Sequence, residues 1–283
     1  MKNACLRLLL LSLSVPALGQ AQSIDLKPVW ETDTTLRTPE SVLFYAPQQV
    51  LYVSCINGQA TPENKSSYIA KVGLDGKVIQ LKFTDNLNVT KGMGILNGKL
   101  YVTEMTQVVE IALATGKVLK RYPIEGAVFL NDIAVDTKRQ VLYITDSKES
   151  KVWELTNGNV KPVVAGGPLK GTNGLLVDNN DLLIGNGDGS LFRLNLTTKQ
   201  IQLVTKVVTT SSIDGIVALG DGTYLINEVA GKAWFMRADG TTELKLDIAS
   251  QQIKTADTDY DPTSRMLFVP TLFHNTVRAY SVR

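Results

Sequence analysis

The sequence predicts an all-β protein, a six-bladed β-propeller whose ring is closed by its N-terminal strand. Three observations carry this. Short β-branched or aromatic runs dominate the chain, Gly-containing turns separate them, and the arrangement recurs six times at a spacing of about 42 residues. A sandwich or barrel would explain the strands but not their period. No stretch carries twelve residues of helical period.

Each element follows from its residues. Residues 25–32, DLKPVWET, precede the first unit and read as a strand without a blade of its own. The first unit, 38–83, holds VLFYA, VLYVSC, YIAKVGL and KVIQLKF, with LDGK turning between the last two. The second, 91–124, has KLYVTEM and VVEIAL between the turns LNGK and ATGK. The third, 128–166, runs FLNDIAVD, VLYITD, KVWEL, then the turn TNGN. The fourth, 171–206, runs TNGLLVD, LLIGN and LFRLNL; the fifth, 211–247, has IDGIVAL, TYLINE and AWFMRA with turns LGDG and ADGT. Asn and Gly accept the positive φ such hairpins require. The sixth unit, 255–282, lacks an outer strand, so the strand at 25–32 is expected to complete it.

The N-terminus reads differently. Lys2 and Arg7 precede the apolar stretch Leu8 to Leu18, and Ala17-Leu18-Gly19 is a cleavage-type tripeptide. Residues 1–19 are therefore expected to be a cleaved signal peptide, and 20–283 a single propeller domain exported to the periplasm or the extracellular space. The apolar run is too short to span a bilayer. Removing Lys2 and Arg7 from 29 basic residues leaves 27 against 27 acidic ones, a net charge of zero. That balance argues against a nucleic-acid or anionic-membrane partner and leaves a small molecule as the expected one, with the protein a monomer. Only Cys55 of the two cysteines remains in the mature chain, so no internal disulfide forms. Asn64, Asn88 and Asn195 stand in Asn-x-Ser/Thr triplets, which matter only in a host that glycosylates.

Propeller geometry converts the period into a site. The inner strands all start at one face, so their first residues converge on the mouth of the central channel. Those positions are Glu40, Lys91 to Met93, Asn131, Asn173, Asp214 and Asp257. Loops between second and third strands open at the same mouth. They bring residues 54–67 (SCINGQATPENKSS) as a possible lid, together with Glu104, Asp146, Asn186, Glu228 and His274. Singly, Asn and Asp before a strand are turn residues. Converging, Glu40, Asn131, Asn173 and Asp214 offer only oxygens, two of them anionic. That donor set suits Ca²⁺, or Mg²⁺ and Mn²⁺ with more retained water.

Other chemistries find less support. A single histidine, His274, excludes a His–His dyad, and no Gly-x-Ser-x-Gly elbow accompanies it. Cys55 follows an apolar strand and reads as a buried small hydrophobe. Asp257, Asp259 and Asp261 open like an EF-hand loop, but Pro262 and Phe268 stand where Gly and Glu are needed. GNGDGS leads into no helix and reads as a hairpin. Trp30, Trp153 and Trp234 are expected to pack between blades.

TPESVLFYAPQQVLYVSCING, KGMGILNGKLYV, FLNDIAVD, TNGLLVD, IDGIVAL and DYDPTSRMLFVP together resemble the regucalcin/gluconolactonase (senescence marker protein) family of six-bladed propellers. The resemblance spans nearly the whole mature chain. It implies one divalent metal, Ca²⁺ by preference, held by Glu40, Asn173 and Asp214. It also implies that Asn131 lies beside the metal and meets water or substrate. The implied reaction is hydrolysis of a lactone or related ester, with Asp214 as general base and Asn131 orienting the water or the substrate carbonyl. Phe129, by its position, and His274, by its mouth loop, are the other residues expected toward the substrate, while an exposed loop histidine with no role is the plainer reading of His274. The chain departs from the family at Phe129, where members with sugar-lactonase activity carry an Arg, and at Ser41, where the family has Gly. The departure at Phe129 keeps a second class open, a secreted propeller that binds a ligand or protein partner and catalyses nothing.

Overall fold

The computed structural model describes residues 23–58, 65–207 and 211–283. The segment 1–19 expected to be a signal peptide, the sequon at Asn64 and the middle of the 54–67 loop lie outside them. Six four-stranded antiparallel sheets form the protein, each built from consecutive strands except the last. The inner strands are Pro39–Tyr45, Met93–Leu96, Leu130–Asp136, Leu175–Asp178, Ile213–Gly220 and Asp259–Asp261. The six-bladed propeller is thus as the period predicts, within a few residues at each boundary.

Closure is also as expected. Leu26–Glu31 pairs antiparallel with Val277–Val282, in register from Leu26 opposite Val282 to Glu31 opposite Arg278, and becomes the outer strand of the sixth blade. Pro28 is tolerated because this outer strand presents one edge to solvent, and a bulge follows it. At the channel the ring closes a second time. Ser41 and Asp257 form a parallel bridge, the Asp257 N–H donates to the Glu40 carbonyl (3.1 Å), and the Val42 N–H donates to the Asp257 carbonyl (3.2 Å).

The core lies between blades rather than within one. Second strands such as VLYVSC, VLYITD and TYLINE are buried along their full length, whereas outer strands such as VLKRYP are mostly exposed. A sheet covered on both faces needs apolar residues on both, which is why these strands read as continuous apolar runs rather than alternating ones. Six apolar clusters result, each joining two adjacent blades. The tryptophans serve this packing. Trp30 of the sixth blade stacks on Phe268 at 5.9 Å and sits against Gly76 of the first. Trp153 packs with Leu96 and Tyr101 of the preceding blade, and Trp234 with Leu183 and Leu191. Cys55 is buried in the cluster joining blades six and one. Burial pushes its thiol up to about 12, which excludes a nucleophilic thiolate. No helix among the described residues is long and apolar enough to cross a membrane.

Candidate functional site

Five of the six inner-strand starts meet at one end of the channel. Glu40, Lys91, Asn131, Asn173 and Asp214 line a cavity of about 550 Å³, roofed by Ile56, Gly58, Val229, Leu272, Phe273 and Lys254. All five inner-strand residues are buried. The sixth, Asp257, turns away, and its carboxylate accepts the Ser41 hydroxyl at 2.6 Å. Ser41, where the resembled family has Gly, thereby ties the last blade to the first.

Three of the five site residues are held by a side chain of the preceding blade. The Ser54 hydroxyl donates to the Lys91 carbonyl (2.7 Å), the Thr103 hydroxyl to the Asn131 carbonyl (2.6 Å), and the Thr145 hydroxyl to the Asn173 carbonyl (2.8 Å). Asn227 repeats the device on Ala256 through its amide (2.7 Å). Sequence reasoning missed this set, although the signal was present. Ser54, Thr103, Thr145 and Asn227 occupy the same place near the end of four of the six second strands, in VSC, VTE, ITD and INE.

The glycines that follow site residues have a related cause. A Cβ on Gly92 would lie 2.5 Å from the Asp132 Cα, and one on Gly215 would lie 2.2 Å from the Thr258 hydroxyl oxygen. Neighbouring inner strands approach so closely here that no side chain fits. Lys-Gly, Asn-Gly and Asp-Gly are thus packing signals at the channel wall as much as turn signals.

The electrostatics are those of a crowded carboxylate column with one cation. Lys91 Nζ lies 2.5 Å from Glu40 Oε1, with side chains 10% and 5% exposed, and 5.0 Å from the centre of the Phe129 ring. Burial raises the Glu40 carboxyl against the opposing pull of Lys91. Asp214 is raised well above the usual carboxylate range, first by burial and then by the charge of Glu40, with Lys91 opposing. Of the described residues that line this cavity, three present a buried oxygen with no hydrogen-bond partner: Glu40 Oε2, Asn173 Oδ1 and Asp214 Oδ1. Buried polar atoms are ordinarily satisfied, so three orphans on one cavity form an unmet donor set for a hard cation. They belong to the three residues that the resemblance named. Among the described residues no cluster of three or more His, Cys, Asp or Glu is arranged to hold a metal; the candidate set is two carboxylates and an amide.

Deeper in the channel, burial pushes the Asp132 carboxyl up to about 7 and the Asp259 carboxyl up to about 6. A raised carboxyl stays protonated in the fold at pH values where the unfolded chain has already lost the proton. Its contribution to stability is therefore complete below about pH 4 and lost as pH rises through 6 and 7. The stability of the chelated protein is expected to fall from pH 5 to pH 7, by up to about 1.4 kcal/mol per pH unit for each group, and its melting temperature with it. A midpoint that is flat or rising over that range would contradict this.

Other expected mouth residues go elsewhere. Glu104 accepts the Asn88 N–H (2.9 Å) and pairs with Arg121 (2.7 Å). Asp146 accepts the N–H groups of Val128 (2.9 Å) and Phe129 (3.1 Å), and the Asn186 amide donates to the Pro168 carbonyl (3.1 Å). Glu228 is buried and absent from the cavity wall. These side chains stand at the ends of second strands, and the first three fasten the segment entering their own blade rather than facing the channel. His274 is likewise not in the wall; its Nε2 lies 3.6 Å from Glu31 Oε1, outside the cavity. Its neighbour Phe273 takes the rim position, 70% exposed. Phe129 reaches the site only through its ring beneath Lys91. Asn131 lines the cavity, its amide donating to the Ser147 hydroxyl (3.0 Å). GNGDGS is a hairpin, closed by the Gly189 N–H on the Asn186 carbonyl (3.3 Å).

The fold and cavity together define a six-bladed propeller with an oxygen-lined polar site at one end of its channel. Solved structures of the same architecture include a gluconolactonase from Xanthomonas campestris, with TM-score 0.69, 14% identity, and coverage of 88% of this chain and 87% of that one. They include a catalytically inactive virginiamycin B lyase from Staphylococcus aureus with quinupristin, with TM-score 0.65, 15% identity, and coverage of 92% and 99%. A chain of the nidogen/laminin complex is similar over 77% of this chain and 95% of its own, with TM-score 0.59 and 11% identity. No protein-family model and no curated protein sequence matches the chain. At these identities the likeness shows the fold, which enzymes and an assembly component share.

Proposed function

We propose that the protein is a divalent-cation-dependent hydrolase of lactones or related esters, with Ca²⁺ the favoured ion. The observation that carries this is the convergence of the unpartnered Glu40 Oε2, Asn173 Oδ1 and Asp214 Oδ1 on one cavity. These residues would hold the ion, which when bound polarises a substrate carbonyl and steadies the developing oxyanion.

The chain's own groups do the rest. Asn131, fixed through its amide on Ser147, keeps its carbonyl oxygen available to orient a water. Asp214, whose burial makes its carboxylate a stronger base than usual, takes the proton from that water as it attacks the carbonyl carbon. As the acyl–oxygen bond breaks, the same carboxyl returns the proton to the departing oxygen, leaving a hydroxy acid. Ile56, Val229, Leu272 and Phe273 give the mouth an apolar collar for the substrate body. Lys254, 5.9 Å from the Phe273 ring centre at the rim, is available to an anionic substituent.

The hydrolase reading is favoured over a lyase reading by the place of the histidine. The inactive lyase neighbour carries a histidine-to-alanine substitution, whereas His274 turns to Glu31 outside this cavity. The first test is metal content of the mature protein after dialysis, then calcium titration of the chelated form and a lactone and ester screen. One bound ion, lost in the Glu40→Gln/Asp214→Asn double variant, with calcium-dependent turnover, is expected. Absence of a bound ion and of any calorimetric response to Ca²⁺ or Mg²⁺ would reject the mechanism and favour a binding module.

A further inference from the structure

Lys91 is the feature of this cavity that the hydrolase reading does not use. It is the one cation among the five residues from the inner-strand starts, and it is already engaged with the carboxylate expected to receive the metal. Its Nζ sits 2.5 Å from Glu40 Oε1, both side chains being at least nine-tenths buried. The other Glu40 oxygen and the free oxygens of Asn173 and Asp214 have no partner. One ammonium therefore serves a set of oxygens large enough for a divalent ion, and it satisfies only one of them.

We infer that Lys91 is an internal counter-cation that a divalent ion must displace from Glu40, so that this lysine sets how tightly the site binds metal. The inference rests on the cation reading of the site but not on any turnover. Three considerations support it. A lysine ammonium and a divalent ion held by one carboxylate repel across a few ångströms of low-dielectric interior, so both cannot keep their best positions. The lysine has somewhere to go, since its flexible stem already places the ammonium 5.0 Å from the centre of the Phe129 ring, a face that attracts cations. Its backbone does not have to move, because the Lys91 carbonyl is anchored by the Ser54 hydroxyl at 2.7 Å and its N–H donates to the Thr103 carbonyl at 3.2 Å. The exchange is then a side-chain swing within a rigid wall. Without metal, Lys91 pairs with Glu40; with metal, the ammonium is released toward the cavity and Phe129.

The test is calorimetric titration of chelated wild type and Lys91→Met with calcium chloride, with thermal shift on the same samples. Lys91→Met is expected to bind calcium about 10- to 100-fold more tightly than wild type and to gain more in melting temperature on saturation. If wild type binds calcium and Lys91→Met binds no more tightly, the inference is overturned while the hydrolase reading stands. If only Lys91→Met binds, the inference holds and the hydrolase with a resident ion is overturned. If neither binds, both fail. Should the variant not fold without metal, wild type labelled with ¹⁵N at the lysine side chains answers instead. One ammonium protected from solvent exchange in the chelated protein should lose its protection or shift on adding calcium. An unchanged signal at calcium saturation would overturn the inference.

Discussion

Asp214→Asn is expected to lower kcat/KM for any lactone or ester the protein hydrolyses by about a thousandfold, some 4 kcal/mol of transition-state stabilisation. The substitution keeps the shape of the side chain and removes two things at once, a base and one of the two anionic metal ligands. The protein should nonetheless remain folded. Burial and the neighbouring charges of Glu40 and Asp132 make ionised Asp214 unfavourable in the fold. A neutral isostere relieves that repulsion, so at pH 8 the chelated variant should melt no lower than chelated wild type. Calcium should then raise its melting temperature less than it raises that of wild type. The combination separates catalysis from structure. A purely structural cation would leave turnover within about tenfold of wild type, well short of what loss of a general base removes, and that result would remove Asp214 from the chemistry.

Gly174→Ala should be the most damaging single substitution in the channel wall. Its Cβ would fall 1.7 Å from the Asp214 carbonyl oxygen and 2.6 Å from the carbonyl carbon. Neither strand can yield easily. The Gly174 N–H donates to the Ile213 carbonyl (3.1 Å), and the Gly174 carbonyl accepts from the Gly185 N–H (2.8 Å). Relief requires separating blades four and five at the position where Asn173 and Asp214 must converge. A loss of more than about 3 kcal/mol is expected, or a fall of about 6–12 °C in melting temperature, together with loss of calcium binding. Gly98→Ala is the control. Gly98 has φ +71° and open space around a Cβ, so it should cost only the left-handed penalty of about 1–2 kcal/mol. Equal losses in the two variants would refute the crowding argument.

Much of the site was legible because propeller geometry turns sequence position into spatial position. Glu40, Lys91, Asn131, Asn173 and Asp214 are the starts of five inner strands, and all five line one cavity. The same reasoning failed where strand ends matter. Glu104, Asp146, Asn186 and Glu228 end second strands near the same face, but a residue's place along a strand does not say which way its side chain turns. Hydrogen bonds to the incoming segment claimed Glu104 and Asp146. His274 was misplaced for a similar reason: the short turn at Leu272–His274 puts Phe273 over the cavity and sends the imidazole to Glu31.

By itself the sequence determined the number of blades, the closing strand and the ring of site positions. Those depend on a period and on local strand and turn preferences, which each stretch of chain carries within it. Only the tertiary structure decided that Lys91 pairs with Glu40 from 51 residues away, that Asp257 is spent on Ser41, and that three oxygens of the cavity wall are left without partners. Ion pairing, crowding and burial belong to pairs of distant residues. They come into being only when the blades close into a ring and exclude water from the channel.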